Sequence, residues 1–520
     1  MTDAPFAILP KPRSREPCSL RNRSTPSYDD NPGCVAEINQ YNLLDFIVNV
    51  WIVTMTLWSP DLTGRTGPRY IAIADALASD IEAGRLSAGD QLPTHRALAD
   101  SLGVTVGTIT RAYAEAARRG LVGGEVGRGT YVRGQPDRTN ALFALSRKPE
   151  HRPNTPLIAD LRHNFAPRLA QDDSINRALA ALASENIEHL LAYQTHEGMA
   201  EHRAAGSEWV ALSGVAAEPD RLLVTCGGQH GTSVAFNTLL EPGDTLLTES
   251  LTYPGVRTLA RLLRLRIQGV AMDSEGLIPE AFEAACRQGS PRALYCMPTM
   301  QNPTGTVMPV ERRRAVADIA ERYGVALIED DVYGYLVDNA PPPLVSYAPT
   351  QGYYLTSLSK CIAPGLRIGY LVVPPNQTDR FLPAMQATVW MAAPMMAEIA
   401  RRLIGDGTAH RLADSRRQEA RARQNLARHA LGALGWRANP VALHGWLKLS
   451  DPWRADDFAI AAAAKGAPVT PIGAFAVTRT KEQAVRICLG AASDRACLAR
   501  ALAELAGLLA AAPEPYLSVV

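Results

Sequence analysis

The stretch SLSKCIAPGLRIGY (357–370) carries one lysine, Lys360, in a run that is otherwise almost uncharged and is interrupted by proline and glycine. A lone lysine normally lies on the protein surface, because burial of its charge is costly without a partner. The stretch overlaps YYLTSLS (353–359), whose aromatic and β-branched residues predict a strand. The sequence therefore places a lysine directly after a strand, and other parts of the chain must supply its partners.

Four earlier runs of the chain are apolar on both faces, which predicts strands that are covered on both sides. Helical stretches such as ERRRAVADIAERYG (311–324) separate them. This alternation is typical of an α/β fold with a mainly parallel sheet. The four runs are RLLVT (221–225), DTLLTE (244–249), RALYCMP (292–298) and VALIED (325–330).

Polar or glycine-rich residues follow these strands, at the end of the sheet where ligands bind in open α/β folds. CGGQHG (226–231) leads into a predicted helix, whose first N–H groups suit a phosphate, although a plain tight turn is the more frequent interpretation of a short glycine pair. A carboxylate that ends a buried strand, here Asp330, is costly unless it meets a cation. The remaining polar positions after strands are Tyr253, in SLTYPG, Asn302, in TMQNPTG, and Tyr333.

Together these features indicate one chemistry. A phosphate cradle, an aromatic ring, an amide donor, a carboxylate and a lysine are what pyridoxal 5′-phosphate (PLP) requires. The lysine amine forms a Schiff base with the aldehyde of the cofactor. The carboxylate keeps the pyridine nitrogen protonated, so that the ring can accept electrons from a substrate.

The order and spacing of these motifs, from about residue 160 to 510, resemble fold-type I aminotransferases of class I/II. The resemblance implies a large PLP-binding domain over 158–512, with a mainly parallel sheet and a smaller C-terminal α+β subdomain. It implies that Lys360 is the Schiff-base lysine, that Asp330 pairs with the pyridine nitrogen and that Tyr253 stacks on the ring, which makes these three the catalytic-type residues. Asn302 and Tyr333 would hydrogen-bond the ring hydroxyl, and the phosphate would be held by Gly228, Gln229, Ser357, Ser359 and Arg367.

Two further positions are implied by the same resemblance. Tyr193, in LAYQTHEG, matches a tyrosine that reaches the cofactor phosphate of the partner subunit, which predicts a homodimer. Arg486, in VRICLG, matches the arginine that binds a substrate α-carboxylate bidentately. Two of the phosphate residues have simpler alternatives, since Ser359 could only cap a turn and Gln229 could bond only within its own loop.

Toward the N-terminus of the chain, the apolar residues recur at helical spacing and the predicted elements are short. YIAIADALASDIEAG (70–84) places Ile71, Leu77 and Ile81 at helical spacing and stops at Gly84. Two short helices follow, with Thr94 and Thr105 as predicted N-caps and a glycine-containing turn between them, as in a helix-turn-helix. LVGGEVGRGTYV (121–132) then predicts a hairpin.

This run, over 66–134, resembles the winged helix-turn-helix domain of GntR-type bacterial regulators. The resemblance implies that Arg96 contacts phosphate, that Thr105, Thr108 and Arg111 face the major groove, and that Arg128 reaches DNA from the wing. Val106 and Gly107 occupy a turn where family members often carry arginine, so sequence preference does not follow by analogy. The charge adds little, because residues 69–134 contain eight Arg against seven Asp or Glu.

Composition sets the remaining limits. The net charge of +1 does not argue for nucleic acid or membrane, and eight cysteines without a CxxC pair favour reduced, cytoplasmic thiols over disulfides or a metal site. Residues 135–157 are rich in proline and polar residues and predict a linker. Residues 1–60 are interpreted as an unstructured extension, and the hypothesis is that it is not native and that Met55 is a candidate start. The apolar run at 42–58 contains Asp45 and Asn49, which disfavours a membrane span.

A winged helix joined to an aminotransferase-like domain resembles the MocR subfamily of GntR regulators, over residues 60 to 510. The resemblance implies a dimeric transcription factor that binds operator DNA under the control of PLP, of an amino-compound effector, or of both. Two alternatives stay open: a working class I/II aminotransferase with a fused DNA-binding head, and a binding module that has lost the cofactor. Lys360 and Asp330 argue against the second of these.

Overall fold

A computed structural model describes most of the chain from residue 58 onward. Its residues divide after Gly134 into two units. No helix within the described ranges is both long and apolar enough to cross a bilayer. Those ranges are 58–63, 67–83, 85–87, 90–119, 121–125, 129–132, 156–167, 169, 173–478 and 480–511.

The first unit is a three-helix group followed by a two-stranded antiparallel hairpin. Two of its helices start at threonine caps, as predicted. The Thr94 hydroxyl accepts from the Ala97 N–H at 3.2 Å, and the Thr105 hydroxyl accepts from the Thr108 N–H at 3.2 Å. The elements are α1 (Arg69–Glu82), α2 (His95–Leu102), α3 (Val106–Arg118), β1 (Val122–Glu125) and β2 (Gly129–Val132).

The core of this unit differs from the prediction in two respects. Ile73 and Leu77 of α1 are buried to 1% exposure, whereas Ile71 is only half-buried, because the apolar run offers two adjacent helical faces. Trp58 lies within the range 1–60 that is interpreted as an extension, and it belongs to this core. Its ring is 7% exposed within this core, and its indole N–H donates to the Asp80 carboxylate at 2.7 Å.

The centre of the second unit is a seven-stranded sheet with the order β3-β11-β10-β9-β8-β4-β5. Its strands are parallel except β11, which is antiparallel to both of its neighbours. The prediction identified five of these strands and omitted β5, which is half exposed, and β11, which begins inside the quoted lysine stretch. The strands are β3 (Leu222–Thr225), β4 (Thr245–Glu249), β5 (Arg266–Val270), β8 (Ala293–Cys296), β9 (Ala326–Asp330), β10 (Gly352–Ser357) and β11 (Gly369–Val372), and a small hairpin, β6 (Met272–Asp273) and β7 (Gly276–Leu277), follows β5.

Helices cover this sheet, so its strands other than β5 are nearly wholly buried and carry apolar side chains on both faces. The fold class predicted from the sequence, a mainly parallel α/β sheet, is confirmed. The helices are α4 (Ser174–Ala183), α5 (Glu188–Leu191), α6 (Ala200–Ala211), α7 (Gly228–Leu239), α8 (Pro254–Leu262), α9 (Pro279–Gln288), α10 (Val310–Tyr323), α11 (Thr378–Thr388), α12 (Pro394–Gly405) and α13 (Thr408–Leu431).

The chain ends in a smaller α+β subdomain, as the fold prediction also stated. Its four-stranded antiparallel sheet has the order β12-β13-β15-β14 and its own apolar core. The first residues described after the linker join this subdomain, since the Cys488 N–H donates to the Leu161 carbonyl at 2.8 Å. Its elements are β12 (Trp436–Arg437), β13 (His444–Lys448), α14 (Ala455–Ala464), β14 (Thr470–Pro471), β15 (Ala484–Cys488) and α15 (Arg495–Ala510).

Candidate functional site

Lys360 lies three residues after β10, at the carboxyl end of the central sheet. The lysine is half-buried, and its ammonium group donates a hydrogen bond to the main-chain carbonyl of Asn164. Burial lowers the pKa of Lys360 to about 8, with the positive charge of Arg486 acting in the same direction and nearby anionic groups opposing it. A lowered pKa makes a neutral, nucleophilic amine available near neutral pH.

Asp330 ends β9, the neighbouring strand, and is 6% exposed. The Tyr295 hydroxyl donates to its Oδ2 at 2.5 Å, while Oδ1 has no hydrogen-bond partner among the described residues. Burial raises the pKa of Asp330 to about 6, although the Tyr295 hydrogen bond and the charge of Lys360 pull it down. A buried carboxylate oxygen of this kind is suited to a cationic N–H of a ligand.

Two further hydrogen-bonding residues of the site are Tyr333 and Asn302. The Tyr333 hydroxyl accepts a hydrogen bond from the Asn164 side-chain amide at 2.7 Å, and the oxygen of Asn302 accepts from the Arg486 guanidinium at 2.9 Å. Both residues are nearly fully buried. Burial raises the pKa of Tyr333, so the phenol keeps its proton. Tyr333 can therefore donate its hydroxyl hydrogen, and Asn302 its amide hydrogens, to an acceptor on a ligand.

The predicted phosphate residues come together at the start of α7. Gly227 precedes this helix with a φ of 81°, and a Cβ on it would lie 2.7 Å from the Arg367 guanidinium. A Cβ on Gly228 would lie 3.6 Å from that of Ser357, whose hydroxyl is 2.8 Å from the hydroxyl of Ser359. Two hydroxyls, an arginine and helical N–H groups thus lie near the start of this helix, which is a composition that suits a phosphate.

Arg367 is exposed and makes only main-chain contacts among the hydrogen bonds described, with its guanidinium donating to the Cys226 carbonyl at 3.1 Å. Tyr253 and Gln229 approach each other across Gly255: a Cβ on that glycine would lie 2.3 Å from the Tyr253 ring and 2.6 Å from the Gln229 amide oxygen. That amide oxygen is buried and meets no donor in the described ranges. The approach of Gln229 to Tyr253 therefore gives no support to the alternative in which the Gln229 side chain hydrogen-bonds only within its own loop.

Arg486 lies on β15 and is 4% exposed. Besides Asn302, its guanidinium donates to the Arg162 carbonyl at 2.7 Å and stacks over the Phe475 ring at 4.7 Å. Its Nε is buried and has no acceptor within the part of the chain described. Arg486 therefore has N–H groups to spare, and its role toward a carboxylate stays a prediction.

Three residues of the site were not predicted: Asn164, Tyr295 and His444. His444 begins β13, lies with its ring 5.7 Å from that of Tyr333, and contacts the Asn164 amide nitrogen at 3.1 Å and the Gln301 carbonyl at 3.2 Å. Burial lowers the pKa of His444 to about 3, with a further contribution from Arg486, so the imidazole is neutral. A sequence signal existed for Tyr295, which lies inside a predicted buried strand, but none marked Asn164 or His444.

Tyr193 is the predicted cofactor residue that the structure does not bring into this group. It is 83% exposed, and its ring lies 5.9 Å from Trp390, which is 44% exposed. Leu191, two residues earlier, is 67% exposed. This surface is apolar and aromatic, which is typical of a protein interface, and the role of Tyr193 toward a second copy stays a prediction.

In the first unit, Arg96 of α2 and Arg111 of α3 are exposed. The Thr105 and Thr108 hydroxyls lie 2.9 Å apart at the start of α3, and Thr105 also caps that helix. Thr105 therefore has a structural role besides any contact with DNA. Arg128 lies outside the described residues.

Two protein-family models match the chain. Residues 158–505 match the family described as aminotransferase class I and II. Residues 69–132 match the family described as bacterial regulatory proteins, gntR family. The first match spans most of the second unit and the second match spans the helix group and hairpin of the first unit.

Relatives of both kinds exist. The HTH-type transcriptional regulator YdeF of Bacillus subtilis is 30% identical over 449 residues, which cover 86% of this chain and 94% of that protein. The 2-aminoadipate transaminase of Thermus thermophilus is 30% identical over 259 residues, or 48% of this chain and 64% of that protein. Among solved structures, the α-aminoadipate aminotransferase LysN of Thermus thermophilus, complexed with N-(5′-phosphopyridoxyl)-L-leucine, superimposes with a TM-score of 0.62 at 25% identity, over 68% of this chain and 92% of that one.

Proposed function

The chain belongs to the class I and II aminotransferase family and is a GntR-type regulator with the MocR architecture, and we propose that PLP bound in its second unit controls DNA binding by its first. An amino compound that joins the cofactor is the proposed effector. The proposed DNA ligand is a double-stranded operator, contacted by Arg96, Arg111 and the start of α3.

The residues of the site fit the cofactor. Lys360 would hold its aldehyde carbon, Asp330 its pyridine nitrogen, and Tyr333 with Asn302 its ring hydroxyl. Bound in this way, PLP supplies an acceptor for electrons from the ligand carbon attached to it. The phosphate would be held by the first turn of α7 with Arg367, and Arg486 would hold the carboxylate of an amino-acid-like effector.

The observation that carries the proposal is the state of Asp330. Its Oδ1 is buried and lacks a partner among the described residues, and burial raises its pKa to about 6. Left alone, such an oxygen costs free energy, on the order of 1–3 kcal/mol for an unsatisfied buried polar group. A pyridinium N–H would satisfy it, and this cofactor carries one in the family to which the chain belongs.

The test follows the cofactor and the DNA in the same preparation. Full-length protein is titrated with PLP while its visible absorbance is recorded, and its genome-wide binding footprint is then measured with and without the cofactor. We expect an absorbance band that free protein lacks and a footprint that changes with PLP. A protein that binds DNA identically with and without PLP, and acquires no band, would contradict the proposal.

A second candidate is an active aminotransferase that carries a DNA-binding head. The observation in its favour is Arg486, which lies beside Asn302 with a buried Nε that meets no acceptor in the described ranges, as a substrate carboxylate requires. Incubation of the PLP-loaded protein with 2-aminoadipate or another amino acid and a keto-acid acceptor decides between the two. Rapid multiple turnover without specific DNA binding favours the enzyme, and specific DNA binding with little turnover favours the regulator.

The proposed assembly is a homodimer in which Tyr193 reaches the site of the partner copy. The exposed ring of Tyr193, packed beside Trp390, supports this proposal. Sedimentation of the wild type and of Tyr193→Ala, with and without PLP, tests it. We expect a wild-type dimer and a variant with weaker cofactor affinity, and a wild-type monomer that binds PLP with full affinity would contradict it.

A further inference from the structure

Residues 161–165, called the entry segment below, lead from the linker into the second unit. They follow residues 135–157, the predicted linker from the DNA-binding unit. The segment is fixed against the C-terminal subdomain: the Leu161 carbonyl accepts from the Cys488 N–H at 2.8 Å, and a Cβ on Gly490 would come within 1.8 Å of the Phe165 carbonyl oxygen. There is thus no spare room between the segment and the strand end beside it.

Two cations of the site, Lys360 and Arg486, donate to main-chain carbonyls of this segment. Lys360 donates to the Asn164 carbonyl, and Arg486 donates to the Arg162 carbonyl at 2.7 Å. The aldehyde of the cofactor and the carboxylate of an amino-acid-like effector would engage these same two side chains. The protonation and position of each cation therefore affect the segment as well as the ligand.

The Asn164 side chain joins the segment to two more residues of the site. Its amide nitrogen contacts the Tyr333 hydroxyl at 2.7 Å and His444 Nδ1 at 3.1 Å. Because His444 Nε2 faces the Gln301 carbonyl at 3.2 Å, the neutral ring must carry its hydrogen on Nε2, which makes Nδ1 an acceptor. Both contacts therefore require the NH2 group of Asn164 as the donor. The hydroxyl hydrogen of Tyr333 is not used in these contacts and is available to another acceptor.

We infer that Asn164 is a positioning residue that couples occupancy of the cofactor site to the entry segment, and through it to the linker of the DNA-binding unit. The inference rests on the proposed function and adds the route of regulation to it. The juxtaposition that carries it is the Asn164 carbonyl on Lys360 together with the Asn164 amide on Tyr333 and His444.

The physical basis is competition for the same hydrogen-bond donors. When the Lys360 amine condenses with a carbonyl ligand, a C=N bond forms, the carbonyl oxygen leaves as water, and the nitrogen keeps at most one hydrogen in place of three. The hydrogen bond to the Asn164 carbonyl is then weakened or lost. A carboxylate on Arg486 competes for a second donor to the segment, and a ligand shifts a conformation by its different interaction with the two states.

The first measurement is amide hydrogen exchange of the full-length protein, with peptides that cover residues 156–167. We expect exchange in this region to change when PLP is added, and to change again when an amino acid is added to the PLP-loaded protein. The same titration is followed by visible absorbance and by DNA affinity. The three signals come from one sample, so that cofactor binding, segment response and DNA response are separated.

The variants isolate the amide. Asn164→Asp has nearly the same shape but cannot donate, and Asn164→Ala removes the group, whereas Asn164→Ser restores one donor. We expect Asn164→Asp and Asn164→Ala to bind PLP, with a visible band whose pH dependence differs from that of the wild type. In both variants, the effect of PLP on DNA affinity should fall by about tenfold, as expected for the loss of one or two hydrogen bonds. Asn164→Ser should recover part of it.

Asn425→Asp on α13 is the matched control, since Asn425 is exposed, lies outside the entry segment and accepts a hydrogen bond from the Arg428 guanidinium at 3.2 Å. It should behave as wild type in all three signals. A wild type without the visible band would overturn the proposed function and this inference with it. A wild type that binds PLP and responds in DNA affinity, with Asn164 variants identical to it and no change in exchange at 156–167, would overturn the inference alone.

Discussion

The two units place their functional side chains in opposite environments. In the first unit, the arginines proposed to contact DNA, Arg96 and Arg111, are exposed, and the core consists of other residues. In the second unit, Asp330, Asn302 and Arg486 are at most 6% exposed and lie within the structure that they serve. A substitution in the first site can therefore remove function and leave the fold, whereas most substitutions in the second affect both.

The difference is energetic as well as geometric. Exposed arginines are solvated whether or not DNA is present. Three carboxyl groups near the second site are buried, and burial raises the pKa of Asp330 to about 6, of Asp331 to about 7 and of Glu249 to about 8. In the absence of a ligand, the second unit therefore contains buried carboxyl groups whose charged form is less stable than it would be in water. Ligand binding should raise the free energy of unfolding of this unit.

The largest expected effect is on the cofactor. Lys360→Ala removes the amine and should abolish the visible band completely, because no other described side chain of the site offers the primary amine that a Schiff base needs. Lys465→Ala, at an exposed position after α14, is the control and should keep the band. Absorbance after PLP addition and removal of free cofactor checks both, and a full band in Lys360→Ala would refute the site.

The next effect is on the pH dependence of stability. The pKa of Asp330 is raised from 3.8 to about 6 in the folded protein, so the native state binds this proton more tightly than the unfolded state does. The resulting stabilisation is complete below pH 3.8 and is lost as the pH rises through about 6. It amounts to at most about 3 kcal/mol, from about 1.4 kcal/mol per pH unit.

Asp330→Asn should remove this part of the pH dependence, while Asp318→Asn, at an exposed position on α10, should not. Urea unfolding of the cofactor-free proteins between pH 4 and 7 measures it. Saturating PLP should also flatten the wild-type curve, because the carboxylate then has a cationic partner. Equal slopes in Asp330→Asn and wild type would show that this carboxyl group does not titrate in the window.

A smaller effect is expected on the exposed site. Arg111→Ala should weaken DNA binding by about 1–3 kcal/mol, the usual range for one base-reading contact, and leave both the unfolding midpoint and the PLP band unchanged. Arg428→Ala on α13, also exposed, controls for the loss of one positive charge. Gel shifts on a fragment from the footprint measure affinity, and unaltered binding by Arg111→Ala would contradict the role given to α3.

Sequence alone went furthest where periodicity and turn chemistry act locally. Neighbouring residues alone were enough to predict the helix caps at Thr94 and Thr105, the buried strands and the position of Lys360 after a strand. β11 was missed because it is short and lies inside a glycine- and proline-rich run, and its pairing with β3 is decided by distant parts of the chain. Trp58 was missed because its partner, Asp80, lies 22 residues away.

The same limit applied to the site. Asp330 ends a strand, and Lys360 and Asn302 follow strands, so the topology of an α/β sheet brings them to one edge. Asn164 and His444 reach the site from the start of the second unit and from the C-terminal subdomain, at sequence separations of 196 and 84 residues from Lys360. A lone asparagine in RHNFAP carries no period, cap or motif, and its role depends on contacts that only the folded chain brings together.

The smallest predicted effect tests whether the first unit really separates function from stability. Thr105 is the exception to the comparison, because its hydroxyl caps α3 at 3.2 Å from the Thr108 N–H while its position is also proposed to face DNA. Thr105→Ala should cost about 1 kcal/mol of stability from the lost cap, whereas Thr105→Ser should keep most of it.

If Thr105 acts only as a cap, the two variants will differ in the unfolding midpoint of the first unit but will bind DNA equally at a temperature where both are folded. If it also reads DNA, Thr105→Ala will bind more weakly than Thr105→Ser under those same conditions. Thr110→Ala, exposed on the same helix but bonded to the Val106 carbonyl rather than to the cap, supplies the baseline for both measurements. A third outcome is that Thr105→Ala loses DNA affinity in proportion to its loss of stability at every temperature. Thr105 would then resemble the residues of the buried site, where fold and function cannot be changed separately.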